Sequence, residues 1–416
     1  MRILLWHGYL LEGTGSNVYT REIARAWRRA GHDVVVFCQD PNPSRFDLGG
    51  AEVVRPELPD GLLPVFVLDR YEGLEPRLLQ ELTTVQLARY VDANARALES
   101  RFPADLVFAN HVLPGGAVAA ATGARFAVKA HGSELEYSIR GNEELVADAR
   151  EALDRAGAVF VGSAHIRGVL EEVVGHVEGV HEVPPGVDVD IFKPENRAEA
   201  LANLLAECRR DPPNPGNSEE RLPDEGNAGR FERFFAANDL PTVLYFGKLL
   251  YNKGVHLLVE ALHGFAARAI VVGFGDYRQH LEGLAPRHTL FPGPLEHRHL
   301  THLLPLADVV VVPSIFPEAF GMVAAEAAAA GVPPLVARHS GLAEIAAGLD
   351  EVYPVRFRPL TSFTSGDSIE LAEKLHDLLQ FTPEERAHLG RSARKLAEER
   401  WSWQSVARRL LDPFLA

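Results

Sequence analysis

The sequence has little cysteine and no long apolar run. Cys38 and Cys208 are the only cysteines among 416 residues, too few for a disulfide framework and typical of a reduced, intracellular protein. Proline, glycine or charge interrupts every apolar stretch well before about 18 residues, so we expect no membrane-spanning helix. The chain opens at Met1 with the pattern of a strand and with no signal-peptide pattern before it. We therefore expect a cytoplasmic protein.

Positive charge is also in short supply. Lys and Arg number 42 against 57 Asp and Glu, which gives a formal net charge of −15. This balance argues against a nucleic-acid partner, because such proteins neutralise phosphates with basic side chains. General adhesion to an anionic membrane is disfavoured for the same reason, although a local basic patch would still permit weak peripheral contact. The composition is otherwise that of a globular protein of two or three domains.

Short apolar runs alternate with amphipathic stretches along the chain, which is typical of parallel sheets covered by helices. The runs form two series, so we predict an α/β protein in which two doubly wound, Rossmann-like domains face each other across a cleft. The predicted parts are a first domain at 1–186, a hinge and polar insertion at 187–238, a second domain at 239–399, and a C-terminal helix near 400–416 that crosses back to the first domain. The middle of the insertion, from Asp211, has the composition of a mobile loop, and a functionless surface insertion is an equal alternative.

The most informative segment is 309–331. A predicted buried strand leads to a loop with Glu318, and an Ala-rich helix is expected from about Phe320. Gly321 would let a ligand approach the backbone, and unpaired amides at a helix start suit a phosphate or a sugar hydroxyl. With helical geometry, Glu318 and Glu326 lie roughly 12 Å apart on similar faces, at about 1.5 Å per residue. That is too far for a glycosidase carboxylate pair, but it fits one elongated ligand held at both ends.

A second segment carries two lysines at a strand-to-helix turn. The predicted strand from Thr242 stops at Gly247, Lys248 follows at once, and Lys253 opens the next helix. Two ammonium groups at such a turn can neutralise a diphosphate. Lysines on such turns are often plain surface residues, but together with the Glu318 loop they indicate a phosphate-ligand site.

Several short elements are shared with a known family. They are E-x7-E (Glu318, Glu326), the Gly-Lys…Lys-Gly turn (247–254), Val271-Val-Gly-Phe-Gly275, Pro184-Pro-Gly-Val-Asp188 with Phe192-Lys-Pro194, and Gly15-Ser-Asn17-Val-Tyr with Gly31-His32-Asp33-Val34. In these elements the sequence resembles the retaining glycosyltransferases of family 4, which have the GT-B fold. The resemblance covers nearly the full length except 197–238, and it is weak for substrate. Lys248 departs from the family, which usually has arginine there; lysine keeps the charge but loses the bidentate fork.

The resemblance implies transfer of a hexose-type sugar from a nucleoside-diphosphate sugar to an acceptor hydroxyl, with retention and without a metal or other cofactor. Lys248 and Lys253 would hold the diphosphate, Glu318 the donor sugar hydroxyls, and Glu326 the ribose. His131 would lie against the donor sugar at the reaction centre, so that the catalytic candidates are Glu318, His131, Lys253 and Lys248. Further donor-site candidates are Gly15, Gly247, Phe320, Gly321, Met322 and Val323, with His288–Leu295 lining the base pocket.

The acceptor is left open. The resemblance places His7 and Asn17 on the acceptor side, and Glu134 and Arg140 are weaker acceptor candidates with a surface salt bridge as the alternative. A small sugar, polyol or sugar phosphate is expected, while lipid and polysaccharide acceptors stay possible, as do monomer and homodimer. The donor base, among UDP, GDP and ADP, is not indicated. Two rival functions are a phosphorylase of the same fold and a non-catalytic protein that binds sugar nucleotides.

Three further patterns favour structural roles. Asp188-Val-Asp190 follows Pro-Pro-Gly, so a turn or cap is expected rather than a metal site. His297, His299 and His302 lack a second ligand cluster, which disfavours zinc. A basic helix would present arginines beside Trp27 to a membrane or, more commonly, to solvent. Its arginines are Arg21, Arg25, Arg28 and Arg29.

Overall fold

Two α/β units make up the chain in the computed structural model, which describes residues 1–68, 71, 73–214 and 222–415. The first unit comprises Met1–Gly186 together with the C-terminal stretch from Trp403, and the second comprises Val187–Ser402. Each contains a parallel sheet, so the predicted α/β class with two doubly wound domains is confirmed. Among these described residues, no helix is both long and apolar enough to cross a bilayer.

The first unit is built around a parallel sheet. Its strands are β1 (Arg2–Trp6), β2 (Asp33–Phe37), β3 (Glu52–Val54), β4 (Leu62–Val65), β5 (Glu75–Leu78), β6 (Leu106–Asn110), β7 (Phe126–Lys129), β8 (Ala158–Val161) and β9 (Val180–Glu182). Its helices before the second unit are α1 (Gly15–Arg29), α2 (Thr84–Glu99), α3 (Ala117–Ala121), α4 (Glu143–Asp154) and α5 (Ala164–Val174). Seven strands pair in the order β3-β2-β1-β6-β7-β8-β9, and β4 pairs with β5 separately. The central strands are continuous apolar runs because helices cover both faces.

The second unit repeats this plan. Its strands are β10 (Thr242–Phe246), β11 (Arg268–Val272), β12 (Thr289–Leu290), β13 (Val309–Val312), β14 (Pro334–Ala337) and β15 (Ser362–Phe363). Its helices are α6 (Arg197–Cys208), α7 (Asn227–Ala236), α8 (Val255–Ala261), α9 (Arg278–Leu284), α10 (His297–Leu303), α11 (Met322–Ala329), α12 (Ser340–Val352), α13 (Ser368–Gln380) and α14 (Pro383–Leu396). The strand order is β12-β11-β10-β13-β14-β15, all parallel.

Strand order reverses at β1 in the first sheet and at β10 in the second. β1 lies between β2 and β6, and β10 lies between β11 and β13. In open α/β sheets, ligands bind beyond the carboxyl ends of the strands at such a switch point. The loops after β1, β6 and β7, and those after β10, β13 and β14, are therefore where each unit is expected to carry functional side chains.

The segment predicted as a hinge and polar insertion is part of the second unit. Leu204 of α6 and Phe231 of α7 are fully buried in that unit's core. Arg298 of α10 donates to the Glu207 carbonyl at 3.1 Å. The segment is polar because α6 and α7 each bury only one face. Positions 215–221, where a mobile loop was predicted, lie outside the described residues.

The last helix, α15 (Trp403–Arg409), belongs to the first unit. The Trp27 indole of α1 donates to the Ala407 carbonyl at 2.9 Å. The Trp403 ring lies edge-on to Tyr19 at 5.6 Å. A Cβ at Gly186 would lie only 2.4 Å from the Trp403 ring, so a glycine is needed where the chain leaves the first unit.

Candidate functional site

The lysine turn follows β10 in the second unit. Lys248 is exposed, and Lys253 is half-buried at the end of the short turn Tyr251–Lys253. Gly254 has φ 67°, and a Cβ there would lie 1.9 Å from the Pro313 carbonyl oxygen. Only glycine therefore lets this turn pack against the carboxyl end of β13.

The turn also bonds directly to the loop that carries Glu318. The Asn252 carbonyl accepts from the amides of Ile315 at 3.0 Å and Phe316 at 3.1 Å. Lys253 Nζ donates to Glu318 Oε1 at 2.5 Å, and both side chains are about a quarter exposed. The structure therefore joins two residues that the sequence analysis assigned to one ligand. A partly solvated pair of this kind contributes only about 0–1 kcal/mol, so a charged ligand can replace it.

Three residues just after β14 hold the Glu318 loop in place by hydrogen bonds. We call these residues, His339, Ser340 and Gly341, the clamp. The Glu318 amide donates to Ser340 Oγ at 2.8 Å, and the Glu318 carbonyl accepts from the Gly341 amide at 2.9 Å. His339 Nε2 lies 2.6 Å from the Ser314 carbonyl, and His339 Nδ1 lies 3.0 Å from Ser340 Oγ. Ser340 has φ 45°, a left-handed conformation that non-glycine residues adopt at a cost.

Helix α11 begins at Met322, so Glu318 and Phe320 lie on the preceding loop. The estimate of 12 Å between Glu318 and Glu326 assumed helical geometry over this interval and does not apply. Gly321 has φ 117°, and a Cβ there would lie 2.7 Å from Leu342 Cδ2. The glycine is thus required by its backbone and by packing against α12. Met322 and Val323 form the first turn of α11, where helix amides have no intrahelical partner.

Glu326 is buried in α11, with 9% of its surface exposed. Among the described residues, no hydrogen-bond donor contacts its carboxylate. Burial raises the pKa of the Glu326 carboxyl to about 8. A buried carboxylate without donors is costly, and a ligand that supplies hydroxyl donors would relieve that cost.

The segment predicted to line the base pocket, His288–Leu295, is held by hydrogen bonds from the segment that was predicted to be a polar insertion. The Asp224 amide donates to the Pro292 carbonyl at 3.0 Å, and Asn227 Nδ2 donates to the same oxygen at 2.8 Å. Asp224 also forms an ion pair with Arg278 at 2.6 Å. Sequence reasoning missed this role because the segment was treated as separate from the second domain.

In the first unit, polar side chains meet at the carboxyl ends of β1, β6 and β7. His7 Nε2 lies 2.9 Å from Asn17 Oδ1, and His131 Nε2 lies 2.8 Å from Asn110 Oδ1. Burial, and then the nearby His111, lower the pKa of both His7 and His131, so both rings are neutral at pH 7. His7, Asn17 and His131 therefore all lie at this edge of the first unit's sheet.

Glu134 is fully buried in the same cluster. Its carboxylate accepts from the His131 amide at 2.9 Å and the Val112 amide at 3.4 Å, and lies 3.2 Å from His111 Nδ1. Burial alone would raise the pKa of Glu134, but these partners, with His111 foremost, lower it overall. This arrangement favours a positioning role over direct contact with an acceptor.

Two other predicted residues lie at the surface. Gly15 is exposed at the start of α1, and a Cβ there would meet no protein atom within 4 Å. Packing within the protein therefore does not require this glycine. Arg140 is exposed and pairs with Glu136 and Glu172, both at 2.8 Å. These ion pairs are the surface alternative to acceptor binding.

Sequence reasoning missed His111 and Tyr9. His111 directly follows β6 and has φ 68°, unusual for a residue other than glycine. A signal was available, because a histidine just after a buried apolar run is where a parallel sheet places site residues. Tyr9 lies in the loop after β1, and a tyrosine in a loop gives no comparable signal.

The histidine pattern in α10 has hydrogen-bond partners. Cys208, Asp211 and His299 are a possible metal-ligating group among the described residues, with ligand atoms within 4.8 Å of one another. However, His299 Nδ1 accepts from the Glu296 amide at 3.2 Å and its Nε2 faces Asp211 Oδ1 at 3.0 Å, so both ring nitrogens are used. The Arg298 guanidinium binds the same Asp211 oxygen at 2.5 Å, which disfavours a second cation there.

Asp188 and the arginines of α1, the other two patterns expected to be structural, also have partners nearby. Asp188 Oδ1 accepts from the amides of Asp190 and Ile191, both at 3.0 Å, which is a turn of the expected kind. The α1 arginines pair with acids: Arg25 with Glu22, Arg28 with Asp33 at 3.5 Å, and Arg29 with Asp47 at 3.7 Å. Arg21 lies over the Phe46 ring at 4.8 Å, and Trp27 is fully buried. These contacts favour a solvated helix face over a membrane-binding one.

The chain matches two protein families, one in each unit. Residues 14–186 match the family described as glycosyl transferase 4-like domain, and residues 230–396 match glycosyl transferases group 1. The chain belongs to glycosyltransferase family 4. This family 4 glycosyltransferase has the GT-B fold, with the lysine turn and the Glu318 loop inside the second matched region.

Curated relatives extend over most of the glycosyltransferase. D-inositol 3-phosphate glycosyltransferase of Xylanimonas cellulosilytica is 29% identical over 433 aligned positions, covering 96% of this chain and 91% of that protein. GDP-mannose-dependent alpha-(1-6)-phosphatidylinositol monomannoside mannosyltransferase of Mycobacterium tuberculosis is 24% identical, covering 81% and 82%. These relatives support sugar transfer as the activity.

Solved structures share the fold of this glycosyltransferase. Anabaena HepE in complex with UDP has a TM-score of 0.67 at 18% identity, with 99% of each chain covered. Sucrose-phosphate synthase from Thermosynechococcus elongatus has a TM-score of 0.64 at 22% identity, covering 98% of this chain and 97% of that one.

Proposed function

We propose that this glycosyltransferase moves a hexose-type sugar from a nucleoside-diphosphate sugar to an acceptor hydroxyl, with retention of anomeric configuration and without a metal. The contact between Lys253 and Glu318 carries the proposal. It pairs a phosphate-binding cation with a hydroxyl-binding carboxylate at one sheet edge.

The donor would bind along the loops after β10 and β13. Lys248 and Lys253 would bind the diphosphate, which frees Glu318 to accept hydrogen bonds from the sugar hydroxyls. The buried Glu326 carboxyl, which is protonated at neutral pH in the free protein, would form hydrogen bonds with the ribose hydroxyls, the partners it otherwise lacks. A nucleotide-sugar donor is supported by the names of two similar proteins, the GDP-mannose-dependent mannosyltransferase and HepE with UDP. One name specifies GDP and the other UDP, so together they do not indicate which base this chain binds.

In the proposed reaction the bond between the anomeric carbon and the diphosphate oxygen breaks, and a bond to the acceptor oxygen forms on the same face. The acceptor proton passes to the leaving phosphate oxygen. Lys248, Lys253 and the amides at the start of α11 would stabilise the negative charge that develops on the diphosphate, which is why no metal is required. His131, which is neutral, would contact the donor sugar, as the family resemblance implies.

The first experiment screens UDP-, GDP- and ADP-sugars by thermal shift, and then measures products. Bound donor should raise the melting temperature by mass action. Turnover should release a nucleoside diphosphate, whereas release of inorganic phosphate from a sugar 1-phosphate, without turnover of any nucleotide sugar, would indicate the rival phosphorylase. EDTA should leave the rate unchanged, and NMR of the product should show the donor's anomeric configuration.

Glu318→Gln tests the assigned carboxylate. It should abolish transfer and leave the unfolding temperature nearly unchanged, because the pair with Lys253 is partly solvated. Glu373→Gln on the exposed face of α13 is the matched control and should retain full activity. Full activity of Glu318→Gln, or donor binding without turnover on any acceptor, would contradict the proposal.

A further inference from the structure

A cavity of about 240 Å³ lies beside β15, the edge strand of the second unit's sheet. Three cations line it: Arg338 just after β14, Arg358 on the short helical turn Val355–Leu360, and Lys374 of α13. Among the described residues, Glu370 is the only carboxylate that lines it. We call this space the β15 cavity.

The β15 cavity is separate from the proposed donor site. In the order β10-β13-β14-β15, three strand spacings of about 4.8 Å place β15 roughly 14 Å from β10, the strand before the lysine turn. Neither the lysines of that turn nor Glu318 and Glu326 line the cavity. A ligand in the cavity would therefore use side chains to which the proposed function gives no role.

The carboxylate of the cavity is already paired. Glu370 Oε1 lies 2.6 Å from Lys374 Nζ, and Glu370 Oε2 accepts from the Thr364 amide at 2.7 Å. These hydrogen bonds, with that from Lys374 foremost, lower the pKa of the Glu370 carboxyl to about 2, so it is ionised at neutral pH. The charges of Lys374 and Glu370 therefore offset each other, and the two arginines determine the net charge of the cavity.

Arg338 is positioned by two hydrogen bonds. Its Nη1 donates to Ser362 Oγ at 3.0 Å, and its Nη2 donates to Asp350 Oδ2 at 3.0 Å. About half of the Arg338 side chain is exposed, and a partly solvated ion pair of this kind is weak. A guanidinium has five N–H donors, so Arg338 keeps donors for a ligand.

Two other groups at the cavity have donors without an acceptor among the described residues. Arg358 uses its Nε, which donates to the Tyr353 carbonyl at 3.2 Å, and its two Nη groups have no partner. Ser362 is only 3% exposed; its hydroxyl oxygen accepts from Arg338, and its hydroxyl hydrogen has no acceptor. A buried donor without an acceptor is unfavourable, and an anion in the cavity would supply the acceptor.

The donors and the uncompensated charge of Arg358 predict an anionic ligand. A guanidinium binds two oxygens of a phosphate or a carboxylate at once. Donors on three side chains, Arg338, Arg358 and Ser362, suit a tetrahedral phosphate better than a planar carboxylate, whose two oxygens lie in one plane. The volume is below the 300–1,000 Å³ typical of sites for drug-sized ligands, which favours a small ligand over a nucleotide.

We propose that the β15 cavity is a phosphate-binding site, which takes inorganic phosphate or the phosphate group of a small phosphomonoester. Arg358 and the Ser362 hydroxyl donate to the phosphate oxygens, and Arg338 completes the set of donors. The site goes beyond the proposed function, because it needs neither the donor nor the sugar-transfer reaction.

Calorimetric titration of the full-length protein at constant ionic strength tests the class of ligand. The titrants are inorganic phosphate, glucose 6-phosphate, glucose and glucuronate. We expect the first two to bind at least tenfold more tightly than the last two, because only they present a phosphate group. Tighter binding of glucose 6-phosphate than of inorganic phosphate would support a phosphomonoester as the ligand, and the reverse would support free phosphate. Binding of neither, or glucuronate binding as tightly as glucose 6-phosphate, would overturn the proposal.

Variants locate the binding in the cavity. Arg358→Ala should weaken the binding of glucose 6-phosphate at least tenfold, and Arg358→Lys, which keeps the charge but not the bidentate geometry, should recover part of it. Ser362→Ala should weaken it at least threefold. Arg356→Ala is the matched control, because Arg356 is exposed on the same helical turn, pairs with Glu385 at 2.9 Å and does not line the cavity. It should leave the affinity unchanged, and circular dichroism checks that each variant is folded.

The lysine turn is the other place where a phosphate would bind, and Lys253→Ala separates the two sites. This variant should bind glucose 6-phosphate as tightly as the wild type does. Binding that is lost in Lys253→Ala and kept in Arg358→Ala would place the phosphate at the lysine turn and overturn the inference. Equal weakening in Arg356→Ala and Arg358→Ala would indicate a general effect of charge and would overturn it as well.

Discussion

Replacing Glu326 by glutamine should make the protein more stable at neutral pH and flatten its dependence on pH. The Glu326 carboxyl is buried without a donor, and its pKa in the folded state is about 8. In the unfolded chain the pKa of a glutamate is about 4.3. Between these values the folded state holds the extra proton, so its contribution to stability is complete below about pH 4.3 and is lost as pH rises through 8.

The size of the effect follows from this difference. Each pH unit between the two pKa values lowers the free energy of unfolding by about 1.4 kcal/mol. From pH 5.5 to pH 7.5 the wild type should therefore lose about 2–3 kcal/mol that Glu326→Gln does not lose. Urea unfolding followed by circular dichroism at pH 5.5, 6.5 and 7.5 measures this, and other titrating groups cancel in the difference between the two proteins.

Glu373→Gln is the control for a change of one charge, because Glu373 is exposed on α13. Its free energy of unfolding should change with pH in the same way as that of the wild type across the pH range tested. Equal slopes for wild type and Glu326→Gln would mean that the buried carboxyl is already ionised at pH 5.5, and the reasoning about Glu326 would then be wrong.

Three further predictions concern the clamp, the lysine turn and the last helix. Ser340→Ala removes the acceptor of the Glu318 amide, so kcat should fall at least tenfold with unchanged affinity for the nucleoside diphosphate, and an unchanged kcat would mean that Ser340 does not position Glu318. Lys253→Ala should weaken nucleoside diphosphate binding at least tenfold in calorimetry while changing the free energy of unfolding by less than about 1 kcal/mol, and an unchanged Kd would contradict the assignment. Trp27→Phe leaves the Ala407 carbonyl without its donor and should cost about 1–3 kcal/mol in denaturant unfolding; no change would mean that this bond contributes nothing.

The fold and the contact between the lysine turn and the Glu318 loop were largely readable from the sequence, because they depend on local patterns. Buried apolar runs ending in Gly247 or before Glu318 mark strands and the loops beyond them, and parallel strands bring those loops to one edge. The contact between Lys253 and Glu318 is the direct consequence. The predicted start of α11, near Phe320, precedes the observed start at Met322, because the run of alanines gives no sharp boundary.

What the sequence did not reveal depends on partners far apart in the chain. Ser340 acquires its role only because β14 pairs beside β13, which brings the clamp to Glu318. Glu134 looked like an exposed acceptor ligand, since nothing local shows that it is buried against His111, 23 residues earlier. Asp224 looked like part of a loop until its pairing with Arg278, 54 residues later, placed it in the second unit.

The return of α15 to the first unit has a consequence for synthesis on the ribosome. The first unit is interrupted at Gly186 and resumes only at Trp403, so the whole of the second unit emerges before the first can be finished. Until then, the face of α1 that receives the last helix is uncovered, and the Trp27 indole lacks its acceptor, the Ala407 carbonyl. A nascent chain stalled before Trp403 should therefore aggregate readily, and proteases should cleave it in the residues of the first unit. A chaperone that binds apolar segments would bind there rather than to the residues synthesised last.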